Sequence, residues 1–182
     1  MSDFEFELSQ AERDYLRELA RLSIASRFDA NVMLPKPISE KLEQPFGAFV
    51  TLKKQGHLRG CIGHIVGDQP IRETIIHMAK AAAFNDPRFP PVNKEELTDL
   101  TVEISILSPL IPCVPESVVP GRHGLLVRSG PHSGLLLPQV AAEYGWDRET
   151  FLSQTCRKAG LPGNAWQQSG TEIFCFEAVI FS

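Results

Sequence analysis

The stretch Ala48-Phe49-Val50-Thr51-Leu52-Lys53-Lys54-Gln55-Gly56-His57-Leu58-Arg59-Gly60-Cys61-Ile62-Gly63-His64 decides the fold. Its first part is apolar and β-branched, Gly56 supplies the backbone freedom that a tight reversal needs, and Leu58 to Val66 reads as a second strand. The stretch therefore predicts a β-hairpin, and with it an antiparallel sheet. Gly67 and Asp68 close the hairpin, and Pro70 opens a helix through Ile71, Ile75, Met78, Ala79, Ala82 and Ala83, a core-facing pattern.

Upstream, Ser9-Gln10-Ala11-Glu12 has capping-box spacing. Tyr15, Leu16, Leu19 and Leu22 follow at helical steps, with Arg13, Arg17, Glu18 and Arg21 on the other face, which predicts an amphipathic helix to about Ala25. Pro35 and Pro37 then enforce an extended connection. Downstream, Asn85-Asp86-Pro87-Arg88-Phe89-Pro90-Pro91 is a proline-fixed loop and Glu95-Glu96-Leu97 one helical turn. Thr101 to Leu107 alternates as a half-buried strand, with Val102, Ile104 and Ile106 on one face.

A proline-rich stretch leads to short strands at Leu125–Arg128 and Leu135–Leu137, separated by a turn at Ser129–Ser133. One helix opens at Pro138 and ends at Gly145, another runs from an Asp147 cap to Gly160, and Ile173–Phe181 reads as a last strand. Strands and helices do not alternate regularly, so an α+β fold on a mainly antiparallel sheet with packed helices is expected rather than a doubly wound parallel one.

Length and composition agree with this. The 182 residues are 43 % hydrophobic and 22 % charged, with 18 Lys and Arg against 22 Asp and Glu and a pI near 5.7. A chain of this size buries roughly 70 % of its unfolded surface, enough for a core without staples. The acidic balance offers no overall field for nucleic acid, which disfavours that class of partner. No apolar run approaches the roughly 18 residues of a membrane span. The first seven residues carry Asp3, Glu5 and Glu7 and no Lys or Arg, unlike the basic start of a leader, so a cytoplasmic location is expected. Cys61, Cys113, Cys156 and Cys175 are widely spaced, and reduced thiols are the default.

The segment with most chemistry is Leu58-Arg59-Gly60-Cys61-Ile62-Gly63-His64. Glycine in a strand marks a bulge or a close approach by backbone or ligand. On a regular strand Arg59, Cys61 and Gly63 share one side, and Gly60, Ile62 and His64 the other. That alternation denies a Cys61–His64 dyad unless Gly63 bulges, and sets the Arg59 guanidinium beside Cys61, where a cation favours thiolate over thiol. The competing reading makes Cys61 a small core residue and Arg59 a satisfied structural cation. Lys53, Lys54, Arg59 and Arg72 against Asp68 alone form a local anion-attracting stretch, and exposed amides at Gly60 and Gly63 could add donors for a small anionic ligand. Cys61-x-x-His64 lacks a second close pair, so no metal site is expected.

Leu58-Arg59-Gly60-Cys61-Ile62-Gly63, Ala83-Phe84-Asn85-Asp86-Pro87-Arg88-Phe89-Pro90-Pro91, Val102-Glu103-Ile104-Ser105-Ile106-Leu107, Gly121-Arg122-His123-Gly124-Leu125 and Leu135-Leu136-Leu137-Pro138-Gln139-Val140-Ala141 occur in this order. In that series the chain resembles the AMMECR domain family from the first helix to Phe181. The resemblance implies one domain over residues 1–182, built as a larger and a smaller lobe with a groove between them. Both termini are expected in the larger lobe, and the smaller one within about residues 36–85.

For function it implies a component of a modification pathway shared with a Memo-like protein and a radical S-adenosylmethionine enzyme, the AmmeMemoRadiSam system. This chain lacks that enzyme's cluster-binding cysteines, so no cofactor is assigned to it. The reaction, and whether this chain catalyses one, stay open. Arg59 and Cys61 are the expected catalytic pair, with Gly60, Gly63, Arg88 and His64 as ligand-binding neighbours. The family commonly has Thr or Ser where this chain has His64, which argues against a catalytic imidazole. The alternative is a non-catalytic adaptor or ligand-binding module that docks a partner through the groove.

Overall fold

The computed structural model describes residues 7–182; the acidic N-terminal segment read above lies, through Phe6, outside them. The chain divides into two compact units, one comprising the residues up to Leu107 together with Val179–Ser182, the other Ser108–Ala178. The hairpin and helix within residues 36–85 belong to the first unit.

In the first unit, Ser9 caps α1 (Gln10–Ala25) through the reciprocal bonds of a capping box: its hydroxyl accepts from the Glu12 amide at 3.3 Å, and the Glu12 carboxylate accepts from the Ser9 amide at 2.8 Å. β1 (Gly47–Lys54) and β2 (His57–His64) reverse through Gln55 and Gly56, whose φ values of 51° and 80° are both positive, as a two-residue type I′ turn demands. α2 (Ile71–Phe84) and β3 (Leu100–Leu107) follow, and β8 (Ala178–Phe181) completes a sheet of order β2-β1-β3-β8.

Strand alternation sends Ala48, Val50, Leu52, Val102, Ile104 and Ile106 to one face, where they form a core with Leu16, Leu19 and Ile24 of α1 and Ile71, Ile75 and Ala79 of α2. The two helices run side by side in the same direction. Near their starts the Arg72 Nε donates to the Tyr15 hydroxyl at 3.1 Å, and near their ends the rings of Phe28 and Phe84 meet edge to face at 5.9 Å.

The second unit has a sheet of order β4-β7-β5-β6, from β4 (Ile111–Pro112), β5 (Gly124–Ser129), β6 (His132–Leu136) and β7 (Glu172–Phe176), with α3 (Pro138–Glu143) and α4 (Arg148–Lys158). Phe151 and Leu152 of α4 are buried with Leu125, Leu136 and Ile173 from the sheet. All its strand pairings are antiparallel. Among the described residues no helix is long and apolar enough to cross a membrane.

Two expectations need correction here. The single last strand is broken at Glu177: β7 belongs to one sheet and β8 to the other, although the run of apolar residues is nearly continuous. Cys113 and Cys175 form a disulfide rather than two reduced thiols, with Cα atoms 5.9 Å apart. The reason is register, since β4 sets Ile111 opposite Cys175 and the Cys113 amide donates to the Ile173 carbonyl at 2.9 Å, joining cysteines that sequence spacing leaves unrelated. Cys61 and Cys156 are free.

The first hairpin carries a β-bulge. Lys54 lies opposite His57 and Lys53 opposite Leu58, but Leu52 lies opposite Gly60, so Arg59 is the extra residue. Beyond it Gly60 faces α2 so closely that a Cβ there would stand 2.1 Å from the Ala82 carbonyl oxygen. The Arg59 guanidinium is held by Glu96, both Nε and Nη2 donating to its carboxylate oxygens at 2.9 Å, and by the Pro90 carbonyl. Glu96 also takes Lys54 at 3.1 Å and closes a capping box with Asn93. Arg59 above all, opposed by burial and aided by the Asn93 amide and Lys54, brings the Glu96 carboxyl down to about 2.

Two outcomes follow. Gly60→Ala should destabilise the protein by roughly 2 kcal/mol or more, because the blocking atom is helix backbone and has no rotamer to change; thermal denaturation would show a loss of several degrees, and an unchanged melting temperature would contradict the close packing. For Glu96 the folded value lies below its ordinary 4.5, so its contribution of about 3 kcal/mol is present above pH 4.5 and disappears as pH falls toward 2. In urea titrations across that range, Glu96→Gln should be markedly less stable than the parent at neutral pH and converge on it toward pH 2.

Candidate functional site

β2 is an edge strand, so one side of its backbone has no neighbouring strand. At Cys61 that side is covered by two side chains from the loop after α2. The Cys61 amide donates to Asp86 Oδ2 at 2.9 Å, and Arg88 Nη2 donates to the Cys61 carbonyl at 3.2 Å. The same Asp86 takes Arg88 in a forked pair, Nε to Oδ1 at 2.9 Å and Nη2 to Oδ2 at 2.7 Å, and its Oδ1 accepts the Arg88 amide at 3.1 Å.

The local sequence makes this geometry. Asn85 ends α2, Pro87 fixes the next backbone angle, and an Asp two residues before Arg88 closes a side-chain turn onto the Arg88 amide. The Asp86 side chain is 2 % exposed and the Arg88 side chain 53 %. Arg88, against the cost of burial and with help from the Cys61 and Arg88 amides, holds the Asp86 carboxyl far below the usual carboxylate range; Asp86 in turn, with a smaller contribution from Cys61, raises the Arg88 guanidinium. Arg88 also lies 5.5 Å over the Phe89 ring.

The Cys61 thiol points to the other element of the hairpin. Thr51 lies directly opposite it in register, and its hydroxyl is 3.1 Å from the sulfur. Cys61 is half-buried and free, whereas Cys156 is fully buried and burial pushes its thiol up. Next along the same face, Gly63 lies opposite Phe49, whose ring fills the space a side chain would take: a Cβ would stand 2.2 Å from it.

The expected Arg59–Cys61 pair is not formed. The bulge at Arg59 consumes one residue of the alternation and turns its guanidinium to Glu96 and Pro90, while the cation beside Cys61 is Arg88. His64 Nε2 meets Asp68 Oδ1 at 3.3 Å and makes no pair with the thiol. Gly60 and Gly63 have intramolecular reasons for being glycine, helix backbone for one and an aromatic ring for the other. The local cationic excess is met by carboxylates: from elsewhere in the fold, Glu103 bonds Lys53 at 2.9 Å and Glu96 is shared by Lys54 and Arg59, while Arg72 pairs with its neighbour Glu73.

Three residues outside the expected catalytic and ligand-binding set prove central. Asp86 was legible beside Arg88 in the proline-fixed loop and its family motif, Thr51 needed the bulged register, and Glu96 required knowing which carboxylate returns to the hairpin. Among the described residues no three His, Cys, Asp or Glu side chains gather as a metal would need.

Comparison with known proteins places this geometry in a family. The AMMECR1 family model matches residues 17–181. A protein of Methanothermobacter thermautotrophicus is 44 % identical over 183 residues, covering 96 % of this chain and 95 % of its own. Protein PF1979 of Pyrococcus furiosus is 44 % identical over 92 % of this chain and 86 % of its own. The crystal structure of the uncharacterized protein PH0010 from Pyrococcus horikoshii superposes with a TM-score of 0.89 at 39 % identity, covering 96 % of this chain and 93 % of that one, and so carries the α+β fold. The chain belongs to the AMMECR1 family.

Proposed function

We propose that the protein handles a substrate in a modification pathway through Cys61, as the companion of a radical S-adenosylmethionine enzyme and a Memo-like protein. The single observation that supports this reading is the setting of the Cys61 thiol. It is free and half-buried, next to a hydroxyl, on a strand position whose two main-chain groups are both fixed by Asp86 and Arg88. Fixing the backbone on both sides holds the sulfur in one place, as a group that must meet a substrate atom requires.

Arg88 is the accessible cation of the site and the group expected to attract an anionic substrate, with Asp86 as its positioning residue. Arg59 is reassigned to positioning, through Glu96 and the bulge. The partners rest on the family resemblance and are expectations for this chain.

A second reading has its own observation. Asp86 and Arg88 spend their strongest bonds on each other and on Cys61 backbone, as they would if the proline-fixed loop were a rigid docking edge for a partner protein. Cys61 would then be structural.

Alkylation of the native protein, read by peptide mass spectrometry, separates the two. On the first reading Cys61 reacts in the folded state and Cys156 only after unfolding, and Arg88→Gln slows the Cys61 reaction several-fold at neutral pH. A Cys61 that stays inert until the protein unfolds favours the docking reading. With the two companion proteins present, Cys61→Ser should abolish product while leaving the melting temperature within a few degrees of the parent; full product formation would eliminate a required thiol.

A further inference from the structure

The parallel course of α1 and α2 brings their C-terminal ends together at an open cavity of about 730 Å³, a size that accommodates a small organic ligand. Its wall comprises Ser26, Arg27 and Phe28 after α1, Lys80 and Phe84 of α2, and Asn85, Pro91 and Val92 of the following loop. Two cations and no carboxylate stand in that lining. This contrasts with the cations of the first hairpin, which are all neutralised: Arg27 and Lys80 have no carboxylate partner among the described residues, and Arg27 has only the Phe84 ring, 6.0 Å from its guanidinium carbon.

Cations near the end of a helix commonly offset its exposed carbonyls. Neither cation lies in the last turn of its helix, Lys80 preceding the last turn of α2 and Arg27 following the cap of α1, and both line the cavity. The apolar part of the wall is Pro91, Val92 and the edge-to-face pair of Phe28 and Phe84. A carboxylate or phosphate could accept from Arg27 and Lys80 while a planar ring packed against these two aromatics.

We infer that this cavity is a binding site for a small organic anion with an aromatic body, such as an aryl phosphate. It is separate from the Cys61 site, and the loop that ends α2 serves both: Asn85, Pro91 and Val92 line the cavity, while Asp86 and Arg88 hold Cys61.

Phenyl phosphate titrated into isotopically labelled protein, followed by amide chemical shifts, tests the assignment. Saturable shifts confined to the amides of residues 26–28, 80–85 and 92 are expected. Replacing both cations, Arg27→Gln with Lys80→Gln, should weaken binding about tenfold or more, since two charge-assisted bonds are lost from exposed positions that the fold does not need. Inorganic phosphate should bind more weakly than phenyl phosphate. An absence of saturable shifts, equal binding by the double variant, or equal binding of inorganic phosphate would each overturn the inference.

Discussion

The buried carboxylate of Asp86 organises the candidate site on β2. A charge almost removed from water is tolerable only when it is paired and its lone pairs are filled, and here a forked guanidinium and two backbone amides do both. One of those amides belongs to Cys61, so the bonds that keep the carboxylate charged also tie the loop after α2 to the outer side of β2. An unpaired strand edge invites pairing with other chains, and the Asp86–Arg88 pair occupies it at Cys61.

The first hairpin shows how much of this was legible. Gly56 announced the turn, the capping box announced α1, and alternation from Val102 to Ile106 announced the core strand, because each depends on residues close together in sequence. The site depended on a count that alternation cannot supply. From the Gln55-Gly56 turn a regular register would set Thr51 opposite Gly60; the extra residue at Arg59 sets it opposite Cys61 and takes the guanidinium elsewhere. The cause of the bulge lies at long range, in Glu96 and in the closeness of α2 to Gly60, and neither is encoded next to Arg59. The Cys113–Cys175 bond was hidden for the same reason, being a product of how β4 meets β7.

The family resemblance and the residue-level reading thus answered different questions. The motifs from Leu58 to Gly63 and from Asp86 to Pro91 identified the family, and the 0.89 TM-score match shows that the same fold is built in an archaeal relative. Why the two motifs occur together is a matter of physical contact. The carboxylate and guanidinium of one are the missing strand neighbours of the other, so each segment constrains the other's sequence.

The chain enters the second unit at Ser108 and leaves it at Ala178, and at that crossing the Ser108 amide donates to the Glu177 carbonyl at 2.9 Å. The two ends of the inserted segment are therefore neighbours, and β8 takes its place beside β3 after a long excursion. This ordering bears on synthesis. A ribosome delivers the whole second unit before β8 exists, so the sheet that carries Cys61 waits for that strand while the second unit is already free to fold. The side of β3 reserved for β8 is meanwhile an open edge, exposed until that strand emerges.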